Sequence, residues 1–401
     1  MDHNKRHYKI LFFFLIPIFF ACSCQPAVKE LENQNGQITL SEAELSEDET
    51  APEIIVPEPD QLIIIAVGDN LFHNVMIRQG EQGNYDPIYS EIRSLVQKAD
   101  IAFINQETLL GGIDYGFSGY PLFNSPQELG RAVTAAGFNV VNHATNHSMD
   151  KGERAVFATM DFWDTMPQIT VLGIHRSAEQ RSEPKLIQKN NFTLGFLAFT
   201  YGTNGIPLPA GRPYLISLIN TTTMAREIDA LRPLCDFLIV SMHWGEEYTH
   251  NYTSTQKTLA VFLAEHKVDL VIGHHPHVVQ PIEYIMRPDG RFMLCYYSLG
   301  NLISAQSMDP TLLGAMAYIK LEKPPDPQTG ITFIDAGAIP LVTHYDRNFS
   351  NFKVYPLYAY TEELLKQHWK NRVDTGITLE YLTGIGTTIF GNKNIMRSPF
   401  E

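Results

Sequence analysis

Five short apolar runs, each closed by a group of Asp, Glu, Asn or His residues, constrain the fold of this chain more than any other feature. Leu62 to Val67 is β-branched and aliphatic without alternation, the pattern of a strand buried on both faces, and it stops at Gly68-Asp69-Asn70. Ile101 to Ile104 ends in Asn105-Gln106-Glu107, and Phe138 to Val141 in Asn142-His143-Ala144-Thr145-Asn146-His147. Phe237 to Ser241 runs into Met242-His243-Trp244-Gly245, and Val268 to Ile272 into Gly273-His274-His275-Pro276-His277. Helical spacing separates the runs: Ile88 to Val96, Pro126 to Ala136 with Ser125 as N-cap and Gly137 past its end, Gly152 to Thr165, and Thr255 to His266. Phe192 to Thr200 reads as one more strand. Alternation of this kind predicts an α/β core of parallel strands covered by helices on both faces. Past residue 310 it gives way to three antiparallel strands, Met316 to Leu321, Ile331 to Ala336 and Ile339 to Thr343, with Glu362 to Trp369 and Leu379 to Phe390 helical.

Ligands of open α/β sheets bind at the carboxyl ends of the strands. If the five runs are parallel neighbours, Asp69, Glu107, Asn146, His147, His243 and the His274/His275/His277 group converge on one crevice. Taken singly, each has an ordinary reading as a turn, a helix cap or an imidazole–indole pair. Together they form a mixed O/N donor set suited to Mn, Fe, Zn or Mg. A bridging carboxylate in such a set holds two ions roughly 3.5–4 Å apart, which lower the pKa of a bound water and clamp a phosphoryl group. The set contains no cysteine, which argues against a structural zinc site. Cys235 and Cys295 either pair or stay as two buried thiols.

The amino terminus reads as a sorting signal. Lys5, Arg6 and Lys9 precede an apolar run from Ile10 to Ala21, about a dozen residues where a bilayer-spanning helix needs roughly 20. Residues 1–21 are therefore expected to be a signal peptide, with Cys22 lipidated after cleavage and Cys24 a weaker alternative. Residues 22–60 are expected to be a disordered tether: Lys29 to Asp60 holds ten Asp/Glu, one Lys, three prolines and no aromatic residue. That segment carries −9 of the net −14, so the acidity says little about the folded part. No basic patch points to nucleic acid. Residues 61–401 contain no linker composition and are expected to be one domain on the extracytoplasmic side of the membrane.

In chain order, VGDN (67–70), NQET (105–108), NHATNHSMDKG (142–152), HWGEEY (243–248), GHHPHVVQ (273–280) and YSLGNLI (297–303) resemble the CapA family of poly-γ-glutamate capsule synthesis, over about residues 62–345. That family is similar in turn to calcineurin-like metallophosphoesterases. The resemblance implies a four-layer αββα sandwich with Asp69, Glu107, Asn146, His243, His275 and His277 as ligands of divalent metal. It makes Glu107 the bridging carboxylate and His147 the acid that protonates a leaving group. His274, Glu246 and Asn105 are expected to contact substrate. The chain departs from the phosphoesterase pattern twice: Leu71 stands where a histidine follows the first Asp by two, and Glu107 replaces the bridging Asp. His73 is the nearest substitute for the missing ring.

The resemblance implies a part in polymerising or exporting poly-γ-glutamate, with the anionic polymer and membrane capsule-synthesis subunits as partners. A stand-alone metal-dependent hydrolase and a non-catalytic polymer-binding subunit are the competing expectations. The Gly-rich stretch holding Tyr115, Phe117, Tyr120 and Phe123 is either a self-packed loop or a lip over the cleft.

Overall fold

The computed structural model describes residues 58–80, 84–326, 329–373 and 377–396. The expected signal peptide, the lipidation at Cys22 and all but the end of the tether lie outside the described residues. These described residues form one compact unit. Among the described residues, no helix is long and apolar enough to cross a membrane.

The strands are β1 (Asp60–Asn70), β2 (Ile101–Gln106), β3 (Val140–Asn142), β4 (Thr170–Leu172), β5 (Leu186–Lys189), β6 (Phe192–Thr200) and β7 (Phe237–His243). They continue as β8 (Leu270–His274), β9 (Ile282–Met286), β10 (Phe292–Tyr296), β11 (Asn301–Ile303), β12 (Leu313–Lys323), β13 (Thr332–His344) and β14 (Lys353–Pro356). The helices are α1 (Asn74–Gln79), α2 (Arg93–Gln97), α3 (Gln127–Ala136), α4 (Gly152–Asp164) and α5 (Ala178–Ser182). Four more follow: α6 (Thr221–Leu231), α7 (Ser254–Glu265), α8 (Glu362–Gln367) and α9 (Leu379–Phe390).

Two sheets result. The first has the order β14-β13-β12-β1-β2-β3-β4, with β11 also pairing β1; the second has the order β5-β6-β7-β8-β10-β9. Strands β1 to β4 are parallel, as are β6, β7, β8 and β10, whereas β12, β13 and β14 extend the first sheet antiparallel. The period of two along the second sheet sorts its side chains into separate cores. Leu238, Val240 and Met242 of β7 pack with Met224 and Ile228 of α6 and Leu259 and Leu263 of α7. Phe237 and Ile239 on the opposite face share a core with β1, β2 and β12. Leu129 and Val133 of α3 and Phe162 of α4 join that first-sheet core. The layers therefore run helix, sheet, sheet, helix, the expected four-layer α/β sandwich.

Three local expectations are corrected. Ile331 to Ala336 and Ile339 to Thr343 are not two strands but parts of one long strand, β13 (Thr332–His344), with Ile331 just before it. Ile88 to Val96 is not one helix but a 3₁₀ turn (Asp86–Tyr89) followed by the short α2. Ser125 does not cap α3; its Oγ pairs with Thr108 Oγ1 at 2.8 Å, and Pro126 takes the cap position with no side-chain bond. Gly137 does close that helix, at φ +114°. Among the described residues, Cys235 and Cys295 are free rather than paired, Cys295 buried and Cys235 half-buried.

Candidate metal centre

The carboxyl ends of β1, β2 and β3 in one sheet and of β7 and β8 in the other meet, so the five polar groups come from two sheets rather than from adjacent strands of one. Asp69 is the penultimate residue of β1. Gly68 before it is required by a close approach: a Cβ there would lie 1.8 Å from the Gly300 carbonyl oxygen. Glu107 follows β2 directly, His243 ends β7 and His274 ends β8. Beyond β8 the chain passes through His275 at φ +99° and His277 at φ +59°. Left-handed backbone is costly for residues with a Cβ and persists where surrounding structure holds it, often at functional sites.

The side chains converge. His277 Nδ1 lies 3.0 Å from Asp69 Oδ2 and 3.9 Å from Glu107 Oε2. His243 Nε2 lies 3.7 Å from Glu107 Oε1 and 2.8 Å from Asn146 Oδ1. Glu107 thus faces two groupings able to hold a cation, Asp69/Glu107/His277 and Glu107/His243/His275, in each of which the donor atoms lie within 4.8 Å of one another. Both Glu107 oxygens are buried without a hydrogen-bond partner, as is Nδ1 of His275. An unpaired buried carboxylate costs several kcal/mol unless something compensates its charge. A divalent cation is the group this donor set fits.

Titration behaviour agrees. Burial, and then the charge of Asp69, push Glu107 well above 4.5. Burial also works to raise Asp69, but the His277 hydrogen bond and charge outweigh it and hold Asp69 below 3.8. Burial would depress His277, yet Glu107 and Asp69 lift it to about 9, leaving a positive charge where a cation would sit. Burial, then neighbouring histidines, hold His243 well below 6.5 and His275 at about 3. Both are therefore neutral imidazoles, the state that ligates metal.

Outer contacts fix the inner ones. Asn105 Nδ2 donates to Asp69 Oδ1 at 2.8 Å, and Asn142 Nδ2 to Asn105 Oδ1 at 2.7 Å. Asn146 Nδ2 donates to Asn204 Oδ1 at 3.2 Å, which turns Oδ1 of Asn146 toward His243. His147 Nδ1 donates to Asp150 Oδ2 at 2.7 Å, and Phe123 packs edge-on to its ring at 4.6 Å. Tyr201 lies 4.6 Å from the His275 ring and Tyr248 6.0 Å from His277. Both tyrosines are exposed enough to form the rim.

The three residues expected to contact substrate sit in different places. Asn105 is fully buried and spends its amide on Asp69 and Asn142, so it positions a ligand. His274 is also fully buried, stacked on Phe103 at 5.6 Å, with Nδ1 3.7 Å from Asp69 Oδ1, behind the site rather than in front of it. Glu246 is exposed and belongs to no grouping; its neighbour Glu247 is the residue that reaches in, with Oε1 4.0 Å from His277 Nε2. His73 belongs to none of the groupings able to hold a cation; its Nδ1 accepts the Ala305 backbone N–H at 3.3 Å. Leu71 is buried, its backbone N–H bonded to Ile303 O at 3.0 Å. Of the aromatic stretch, Phe123 is buried against His147 and His73, while Phe117 and Tyr120 are exposed. Glu246, Glu247 and Tyr248 all follow His243 in HWGEEY as candidate contacts or helix caps, and the structure brings Glu247 to His277. Asp150 and Asn301 carry no such signal of their own, although Asp150 follows His147 by three within one motif.

A family model described as bacterial capsule synthesis protein PGA_cap matches residues 63–306. The chain is 25% identical over 298 residues to the PGA biosynthesis protein CapA of Bacillus subtilis (strain 168), covering 71% of this chain and 74% of that one. It is 27% identical over 205 residues to the capsule biosynthesis protein CapA of Bacillus anthracis, covering 49% and 48%, about half of that relative's length. Among solved structures it is similar to the NAD nucleotidase of Haemophilus influenzae, with TM-score 0.45, 12% identity, and 82% and 66% of the two chains covered. It is also similar to a 5'-nucleotidase precursor of Thermus thermophilus, with TM-score 0.42, 12% identity, and 70% and 54% covered. With the family model spanning more than half of its length, this chain belongs to the bacterial capsule synthesis protein family PGA_cap.

Proposed function

We propose that this chain acts in poly-γ-glutamate capsule synthesis or export outside the membrane, tethered through a lipid on Cys22, and that it does so through a two-cation hydrolytic centre. The observation that supports the centre is Glu107, buried between two donor groupings with both carboxylate oxygens unpaired. Asp69, Glu107 and His277 would hold one ion; Glu107, Asn146, His243 and His275 would hold the other. When bound, such ions generate a hydroxide-like water and polarise a phosphoryl or carbonyl oxygen. The chain supplies the rest. Asn105 and Asn204 fix the ligands, and Phe123, Tyr201 and Tyr248 narrow the approach.

His147 is the proton donor to the leaving group. Its Nδ1–H is committed to Asp150, which fixes the tautomer and leaves Nε2 to exchange the proton. A phosphoester or an amide is the substrate class. A polymer of glutamate carboxylates suits a cationic centre, and the relatives named for PGA and capsule biosynthesis support that choice.

The test is turnover by the full chain on a panel of phosphoesters, amides and poly-γ-glutamate with Mn²⁺ or Zn²⁺. His147→Ala is expected to lower kcat by ~10²–10⁴-fold with metal content unchanged. Absence of turnover across the panel, with tight polymer binding retained, would instead favour a non-catalytic polymer-binding subunit, the reading that Leu71 keeps in play. Unchanged cell-associated polyglutamate in a deletion strain would remove the capsule role.

A further inference from the structure

The grouping Asp69/Glu107/His277 has one donor fewer than its neighbour, because Leu71 supplies no ligand. Resting on the two-cation reading, we propose that Asn301 Oδ1 is the missing donor, delivered from a strand more than 200 residues away in the chain. The placement is built into the backbone. Strand β11 runs parallel to β1 with Asn301 in register with Asp69. Gly68 and Gly300 allow the contact: the former has no room for a Cβ, the latter sits at φ +63°, and Asp69 N–H donates to Gly300 O at 2.9 Å.

The Asn301 amide is held in one orientation. Its Nδ2 donates to Gln306 Oε1 at 2.8 Å and to Thr311 O at 3.1 Å, which uses both of its hydrogens. The carbonyl oxygen therefore faces inward, 3.1 Å from His277 Nδ1. Three buried oxygens, from Asp69, Glu107 and Asn301, thus surround a single imidazole nitrogen. One N–H cannot satisfy three acceptors, whereas a divalent ion accepts all four donors. A neutral amide oxygen is an ordinary partner for carboxylate and imidazole at Mn- or Mg-type ions. With Asn301 included, each ion has Glu107, one ring from the His275-Pro276-His277 loop, one asparagine, and either Asp69 or His243.

The metal-stripped full chain is titrated with Mn²⁺. Free ion is followed by electron paramagnetic resonance, and bound ion is counted after gel filtration. The wild type is expected to hold two ions. Asn301→Ala is expected to weaken one of them by on the order of 100-fold, the upper end of what ligand-shell changes cost. Asn301→Asp keeps an oxygen at the site but loses both N–H donors to Gln306 and Thr311, and is expected to retain two ions. Two ions at wild-type affinity in Asn301→Ala would overturn the proposal, as would equal damage in the Asp and Ala variants, which is what a purely structural asparagine predicts. His243→Ala should lose the other ion and marks the second site independently. A wild type that binds no Mn²⁺ would overturn the two-cation reading itself, and this proposal with it.

Discussion

Replacing Glu107 with Gln separates what the buried carboxylate does for metal from what it costs the fold. The side chain keeps its shape but loses its charge. In the metal-free wild type both carboxylate oxygens are buried without partners; a glutamine amide there is equally unpaired but uncharged, so the substitution removes only the extra cost of burying the charge, about 1–3 kcal/mol. Losing the attraction between Glu107 and His277 works against the gain and sets its lower end. The metal-free Gln variant should therefore be the more stable of the two by about 1–3 kcal/mol. At roughly 2.1 cal/mol/K per residue of unfolding entropy, a folded part this long shifts by about 1.5 °C per kcal/mol, so its Tm should rise by about 1.5–4.5 °C.

The sign has a pH signature. Because burial raises the folded-state pKa of Glu107 above 4.5, the folded chain binds that proton more tightly than the unfolded chain. The penalty is absent where both states are protonated, below about 4.5, and grows as pH rises through that value. The advantage of Gln should accordingly be present at pH 7 and vanish near pH 4.5. Adding Mn²⁺ at about 100 times Kd should reverse the order, since each bound ion adds about 2.7 kcal/mol to the wild type and the glutamine amide cannot bridge. Differential scanning fluorimetry in chelator and in Mn²⁺, at pH 4.5 and 7, measures all four cases. A metal-free variant that melts below the wild type, or equal Mn²⁺ stabilisation of both proteins, would refute the reasoning.

Metal affinity should rise with pH up to about 9, because below that value an ion must displace the proton that Glu107 and Asp69 hold on His277. Calorimetry in two buffers of different ionisation enthalpy should show net proton release at pH 7, and none would contradict the assignment. Asn105→Leu should keep the fold yet weaken Mn²⁺ binding by ~10–100-fold, since Asp69 loses its amide donor; unchanged affinity would show that this bond positions nothing. Gly68→Ala should destabilise the chain by at least ~1–3 kcal/mol in chemical denaturation, because its Cβ meets the Gly300 carbonyl. The same variant should lose metal as β1 and the 300–301 turn separate, and wild-type stability would mean that the contact relaxes freely.

Much of this molecule is legible in its sequence because the physics involved is local. An unbroken, β-branched apolar run such as Leu62–Val67 has the pattern of a strand covered on both faces, and its end is marked by the first residues that cannot be buried without partners. Asp69, Glu107, Asn146, His147, His243, His275 and His277 all sit at such ends, and the chain brings them together. The sequence motifs also carried the family. What could not be read was which ends face each other. The five strands divide between two sheets, and only the packing of those sheets carries His243 and His277 onto the same Glu107. Register decided placement within motifs: both glutamates of HWGEEY are exposed, but only Glu247 comes within 4.0 Å of His277, and at the end of β8 His274 stacks on Phe103 while His275 and His277 face the carboxylates and the tyrosines. The proposed fourth donor, Asn301, was the least visible. Asn301 meets Asp69 through a parallel pairing of strands that lie far apart in the chain, and no local pattern at either end encodes that contact. The sequence alone determined the donor types and the strand ends that bear them; the tertiary structure decided which of those atoms face one another, because that depends on register and sheet packing, which no single segment contains.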